Sequence, residues 1–255
     1  MVSDMTMRAE FGRRTVLACG AGGLVAAVAA PLLAQDAAAG PWVVELFTSQ
    51  GCSSCPPADR LLGELARRPE VVALSFHVDY WDYIGWKDPF ASSVNTQRQH
   101  AYAKALRQRY VYTPEMVFHG LGHDPGRDTA QISHMMREAR DNAAKKKIPT
   151  TNPVLTRGGG GLTVTLGQTS LAHPADLWLV TYDAEESTKV TRGENAGSTL
   201  KNFNVVRSCE KLASWTGAAG SWPVAADRLQ AGRSVAVLVQ YENCGPMIGA
   251  ARLAA

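Results

Sequence analysis

Residues Val43 to Pro57 constrain the fold of this chain more than any other stretch. Val43-Val44-Glu45-Leu46-Phe47 is a mostly apolar, β-favouring run bounded by Pro41 and by Ser49-Gln50-Gly51, and it reads as an interior parallel strand. Cys52-Ser53-Ser54-Cys55 follows directly. Leu61, Leu62 and Leu65 then recur at helical spacing and predict a helix over 58–68, stopped by Pro69. Two cysteines three apart at the head of a helix are what a dithiol/disulfide switch requires. The spacing lets the sulfurs meet, and a helix N-terminus favours a thiolate. The same spacing is half of a zinc site, but no second C-x-x-C occurs. Pro56 disfavours α geometry at Cys55. Either the proline pair fills the first helical turn, where missing N–H groups cost little, or the helix begins later and Cys55 lies in the loop.

The chain has 255 residues, 45% of them hydrophobic, enough for one large or two small domains with real cores. Residues 1–39 read as a signal peptide. Arg13-Arg14 opens an apolar, Ala/Gly-rich run to Leu33, small residues follow at Ala37-Ala38-Ala39, and the paired arginines point to the twin-arginine route. Glycines and Pro31 interrupt the run, so no stable membrane anchor is expected. Val16-Leu17-Ala18-Cys19 has the form of a lipoprotein box, but it sits too close to the arginines to leave an apolar region before it. The expected address is therefore periplasmic or secreted. The formal net charge of +3 is too small to argue for a nucleic-acid partner.

Beyond residue 39 four cysteines remain: Cys52, Cys55, Cys209 and Cys244. An even count in an oxidising compartment suits disulfides. Cys52 pairs locally with Cys55, and Cys209 is expected to form a structural disulfide with Cys244 if their strands are neighbours; the alternative is two free thiols.

Val71 to Val78 forms a second strong strand, running into an aromatic loop that holds Tyr80, Trp81, Tyr83 and Trp86. A helix is predicted from about Ser92 to Tyr110. Thr113-Pro114 then precedes an apolar strand, a common place for a cis peptide. Asp128 or Thr129 can cap a third helix to about Lys147. This order of elements resembles a thioredoxin-like fold over 40–148. In that fold the residue before the cis-proline lies beside the sulfurs, so the resemblance implies site roles for Thr113 and Pro114. A buried acid on the first strand moves protons in several members. Glu45 is the matching candidate, although it lies seven residues before Cys52 where six is usual; the alternative is a satisfied edge carboxylate. After Pro149-Thr-Thr-Asn-Pro153 the pattern turns β-rich over 149–255. Leu162, Val164 and Leu166 alternate, Leu177–Tyr182 and Val235–Tyr241 read as strands, and the spacing suggests a small sandwich packed on or continuing the first domain. The fold class expected is α/β, a thioredoxin-like domain followed by a β-rich region.

A closer resemblance covers residues 41–255. Val44 to Asp59, His77-Val78-Asp79-Tyr80-Trp81-Asp82, Gly85 to Phe90, Tyr112-Thr113-Pro114, Gly193 to Gly197, Asn204-Val205-Val206-Arg207 and Gly245 to Ala251 resemble the secreted bacterial family labelled domain of unknown function 1223. That resemblance implies a fold and an address but no substrate. Cys209 and Cys244 lie outside those segments.

Three functions are compatible with the residues. The first is a thiol–disulfide oxidoreductase acting on extracytoplasmic thiol or disulfide proteins. It needs no cofactor beyond its own disulfide: Cys52 attacks and Cys55 resolves. The second is a metal module in which Cys52, Cys55 and His77 hold Cu or Zn, the plain alternative for His77 being a hydrogen-bonded core residue. The third is a binding protein in which Cys52–Cys55 is a permanent bridge. Glu194, Asn195 and Arg207 read as turn and cap chemistry or as binding groups. No G-x-S-x-G, Walker loop, H-E-x-x-H or dinucleotide fingerprint is present.

Overall fold

Strand β1 (Trp42–Thr48) lies deep inside one large sheet in a computed structural model that describes residues 40–255. The expected signal segment falls outside the described residues. After β1 come α1 (Pro56–Ala66), β2 (Val71–His77), α2 (Ser93–Ala105), β3 (Glu115–Phe118), β4 (Gly122–Asp124) and α3 (Thr129–Lys145). The β-rich part supplies β5 (Val154–Gly158), β6 (Gly161–Leu166), β7 (Ala175–Lys189), β8 (Thr199–Trp215), β9 (Gly220–Val224), α4 (Ala226–Leu229), β10 (Ser234–Tyr241) and β11 (Met247–Leu253). No helix among the described residues is long and apolar enough to cross a membrane.

The protein is a mixed α/β fold. Eight strands form one sheet in the order β11-β10-β7-β8-β2-β1-β3-β4, and β5-β6-β9 form a second. Strand β1 pairs in parallel with β2 from Trp42↔Val71 to Thr48↔His77 and antiparallel with β3. The β-rich part continues this sheet. β8 joins β2 in parallel at the single register pair Ser75↔Val205, and the buried Asn204 amide reinforces the seam by donating to the Ala73 carbonyl at 2.8 Å.

Period-two alternation assigns each strand residue to a face. Val43, Phe47, Leu74, Phe76, Val180 and Leu238 face α2, whose Tyr102 is fully buried among them. On the other face, Val44, Leu46 and Ala73 pack on Leu62 and Leu65 of α1 and Ile132 and Met136 of α3. Beside them Leu177, Leu179, Val237 and Val239 pack on Leu162, Val164 and Leu166 of β6 and Val224 of β9. The expected sandwich is thus confined to one half of one face.

Helix α1 begins at Pro56, with the prolines filling its first two positions and Cys55 as N-cap in the α region, against the usual bias before proline. Helix α3 is capped by Asp128, whose carboxylate accepts from the Gln131 amide. β7 and β8 run on beyond the sheet as a largely exposed arm, and Phe203 of this arm lies on α1. A Cβ on Gly63 would sit 2.5 Å from the Phe203 ring, so only glycine permits this approach.

Glu45 sits at the centre of a buried network that joins β1, α2 and β10. Arg98 Nε donates to its Oε1 at 2.8 Å and Nη2 to its Oε2 at 3.1 Å, while the Tyr102 hydroxyl also donates to Oε2. Arg98 Nη2 further donates to Gln240 Oε1 at 3.0 Å, and Gln240 Nε2 donates to the Tyr102 hydroxyl and the Gly245 carbonyl. The guanidinium lies 5.2–5.5 Å from the Tyr102, Trp178 and Phe76 rings. Removing one partner of such a pair leaves an uncompensated buried charge, at a cost of about 3–5 kcal/mol. Arg98→Ala is expected to lose that much stability in urea unfolding, and Glu45→Leu combined with Arg98→Met to recover most of it.

Candidate functional site

Cys52 and Cys55 are joined as a disulfide, their Cα atoms 5.5 Å apart. Backbone bonds set the turn: the Cys52 amide donates to the Ser49 carbonyl at 3.1 Å, the Cys55 amide to the Cys52 carbonyl at 3.2 Å, and the Asp59 amide to the Cys55 carbonyl at 3.1 Å. The bridge is covered. Cys52 is 2% exposed and Cys55 fully buried.

The turn between β7 and β8 grips the backbone of this loop. Asn195 Nδ2 donates to the Gln50 carbonyl at 2.9 Å and to the Cys52 carbonyl at 3.0 Å, and the Ser53 amide donates to Glu194 Oε2 at 3.1 Å. Gln50 extends the clasp: its Nε2 donates to Asn202 Oδ1 on β8 and its Oε1 accepts from Trp86 Nε1. Arg207, the third polar residue of these segments, instead pairs with Asp183 at 3.3 Å and stacks on Phe90.

Thr113–Pro114 is a cis peptide, as its place before β3 led us to expect. The Thr113 hydroxyl accepts from Trp81 Nε1 at 2.7 Å, and Trp81 packs against the Cys52 turn, where a Cβ on Gly51 would lie 3.1 Å from the Trp81 Cβ. Trp81 therefore ties this turn to the disulfide loop. Gln99 of α2 props it from behind, donating to the Tyr112 carbonyl and to Glu115.

Glu45 is not beside the sulfurs. With Val43 and Phe47 it faces α2, whereas Val44 and Leu46 face α1, the helix that Cys55 opens. The one-residue offset visible in the sequence is a change of face. The acid on the α1 side is Asp59, four residues after Cys55 and one helical turn along. Burial pushes its carboxyl up to about 6, with the charge on His77 partly offsetting the rise.

His77 lies at the end of β2, on the face that Ala73 presents to α1. Its Nδ1 is 2.7 Å from Asp88 Oδ2, both side chains being fully buried. Burial alone would hold the imidazole neutral and push the Asp88 carboxyl up. Their mutual attraction overrides it, raising His77 and lowering Asp88, so the two form an imidazolium–carboxylate pair. Asp88 also accepts from the Gln50 amide at 2.8 Å and so fixes the residue before Gly51-Cys52. Around this pair Thr48 and Asn202 turn polar groups toward the Asp59 carboxyl and temper its rise, while His77 Nε2 is buried without a hydrogen-bond partner. Asp59, His77 and Asp88 thus form one buried polar cluster beneath the disulfide turn. His77 is engaged by Asp88, and among the described residues no set of three His, Cys, Asp or Glu side chains is arranged to hold a metal ion.

Cys209 and Cys244 do not form the expected bridge; both are free thiols. Cys209 lies on β8 opposite Val180 of β7, and β7 separates β8 from β10, after which Cys244 follows. The condition of neighbouring strands is not met. Both thiols line a pocket over Arg98, where burial pushes Cys209 up to about 11.

A family model described as "Protein of unknown function (DUF1223)" matches residues 43–240. The chain belongs to this family. The DUF1223 match takes in Cys52, Cys55, Asp59, His77, Asp88 and the Glu194–Asn195 turn. A crystal structure of a protein from Agrobacterium tumefaciens is similar, with 30% identity and a TM-score of 0.74, covering 85% of this chain and 95% of that one. No curated protein matches.

Asp59, Asp88, Gln50 and Asn202 had no assigned role from the sequence. For Asp59 a signal existed: a carboxyl at i+4 from a helix-opening cysteine shares its face. A carboxyl raised from 3.8 to about 6 costs nothing below about pH 4, where both folded and unfolded states are protonated. Stability is lost as pH rises through the folded value, by about 3 kcal/mol at about 1.4 kcal/mol per unit. Asp59→Asn is therefore expected to gain about 2–3 kcal/mol over the parent between pH 4 and pH 8, read by urea unfolding at both.

Proposed function

We propose that this DUF1223 protein is an extracytoplasmic thiol–disulfide oxidoreductase that works through Cys52 and Cys55 and keeps the pair under a closable cover. One observation carries the reading. The Cys52–Cys55 disulfide opens helix α1, and one turn further along the buried Asp59 carboxyl is pushed up to about 6 beside His77 and Asp88. The order of strands β2-β1-β3-β4, the intervening helices and the cis Thr113–Pro114 support a thioredoxin-like frame for the N-terminal part.

In the reducing direction the Cys52 thiolate attacks one sulfur of a substrate disulfide, and the other leaves as a thiolate. Cys55 then loses its proton to the Asp59 carboxylate and attacks the Cys52 sulfur, expelling the second substrate thiolate and restoring the bridge. Two electrons pass to the substrate. Oxidation of a substrate dithiol runs the same steps backwards, with Asp59 returning the proton to Cys55. His77⁺ adjusts the acidity of Asp59, and Asp88 holds His77.

Reactive cysteines sit in partly exposed surroundings, so the Glu194–Asn195 turn must lift before exchange. The burial of both sulfurs favours a second reading, in which the bridge is permanent and the surrounding surface binds a partner.

Equilibration with glutathione and dithiothreitol, with free thiols counted by alkylation and mass, separates the two. A midpoint between about −270 and −120 mV, the span from thioredoxin to the strongest exchangers, is expected. A pair still closed below about −300 mV would make the bridge structural. Cys52→Ser is expected to abolish exchange and Cys55→Ser to accumulate mixed disulfides with extracytoplasmic proteins. Asn195→Ala removes two hydrogen bonds from the cover, each worth about 1 kcal/mol. Stopped-flow reduction by dithiothreitol should then run about tenfold faster, and an unchanged rate would show that the turn does not gate the sulfurs.

A further inference from the structure

A second concavity lies away from the disulfide, between the start of β1, the His119 turn after β3, the end of α3 and the start of β11. We propose that it is a binding site for a small monocarboxylate with an apolar tail. The inference stands apart from the redox reading.

The cavity has a volume of about 240 Å³. A water occupies about 30 Å³ of the liquid, so the space holds a molecule the size of benzoate or 4-methylpentanoate. Its walls are apolar where Ile148, Met247 and Ile248 line it, and none of its lining residues is acidic. Besides the Thr150 hydroxyl, the polar side chains that line it carry nitrogen donors. Arg140 brings a guanidinium stacked 5.3 Å over the Trp42 ring, which holds it in place. Glu70, whose carboxyl feels the Arg140 charge, is itself paired with Arg68.

His119 is the most constrained of the donors. It is 9% exposed and, with Gly120, supplies the two left-handed central residues of the β3–β4 turn, which the Leu121 amide closes on the Phe118 carbonyl. Three hydrogen bonds pin it: its amide donates to the Val43 carbonyl, its carbonyl accepts from the Met247 amide, and its Nδ1 accepts from the Val43 amide at 3.2 Å. An accepting Nδ1 leaves the hydrogen on Nε2. Burial and the charge of Arg140 lower the imidazole to about 3, so the ring stays a neutral donor at working pH. A cation and a tautomer-locked N–H donor beside apolar walls match a carboxylate head with a hydrocarbon tail.

The test is isothermal titration of the full chain with benzoate, 4-methylpentanoate and phenylacetate, with benzamide as the uncharged control. Saturable binding of at least one carboxylate at millimolar or lower Kd is expected, with benzamide at least tenfold weaker. Arg140→Gln, an exposed position on α3, should weaken binding at least tenfold, and Arg140→Lys should restore part of it. Ala143→Leu, which fills the cavity from the same helix, should abolish it. The proposal is overturned if none of the three carboxylates binds, if benzamide binds as well as benzoate, or if Arg140→Gln or Ala143→Leu binds like the parent.

Discussion

The buried Glu45–Arg98 pair is the interaction on which this fold most depends. It places a carboxylate from the first strand, a guanidinium from α2 and the Gln240 amide from β10 in one network, so the N-terminal elements and the β-rich region share a single buried polar node. A charge pair this deep gains little net energy over an apolar substitute, but it tolerates no partial version of itself. It fixes α2 against one sheet face, and α2 in turn holds the Thr113–Pro114 turn through Gln99. The same pair commits Glu45 to Arg98 on the α2 face, whereas Asp59 lies on the α1 face with the cysteines.

Much of this was legible in the sequence because it was local. The two strands around the C-x-x-C, the cap at Asp128 and the alternation of Leu162, Val164 and Leu166 each follow from propensity and period. What escaped were features set by partners distant in the chain. The long strand β8 reads poorly because Asn202, Asn204 and Arg207 interrupt its apolar pattern, yet those amides are the ones that bind Gln50 and close the seam to β2. Glu194 and Asn195 stood out as polar residues in a turn, but their targets lie more than 140 residues earlier. The register of Glu45 was hinted at by an odd spacing, and only the sheet shows that odd means the other face. Cys209 and Cys244 misled because an even cysteine count says nothing about the strand that lies between them.

The disulfide site combines two opposed requirements. The proposed exchange would need an accessible sulfur and a group to take a proton; both sulfurs are buried, and the Asp59–His77–Asp88 cluster is the acid–base group nearest along α1. A buried acid raised toward neutrality costs stability, and so does the unpartnered His77 Nε2 beside it.

The cover also has a temporal side. Asn195 lies 143 residues after the Cys52 carbonyl it grips. At synthesis rates of about 5–20 residues per second, roughly 7–30 s separate the appearance of the two. Throughout that interval the residues that grip the Cys52 loop do not yet exist, so the clasp is made only after most of the chain has been synthesised.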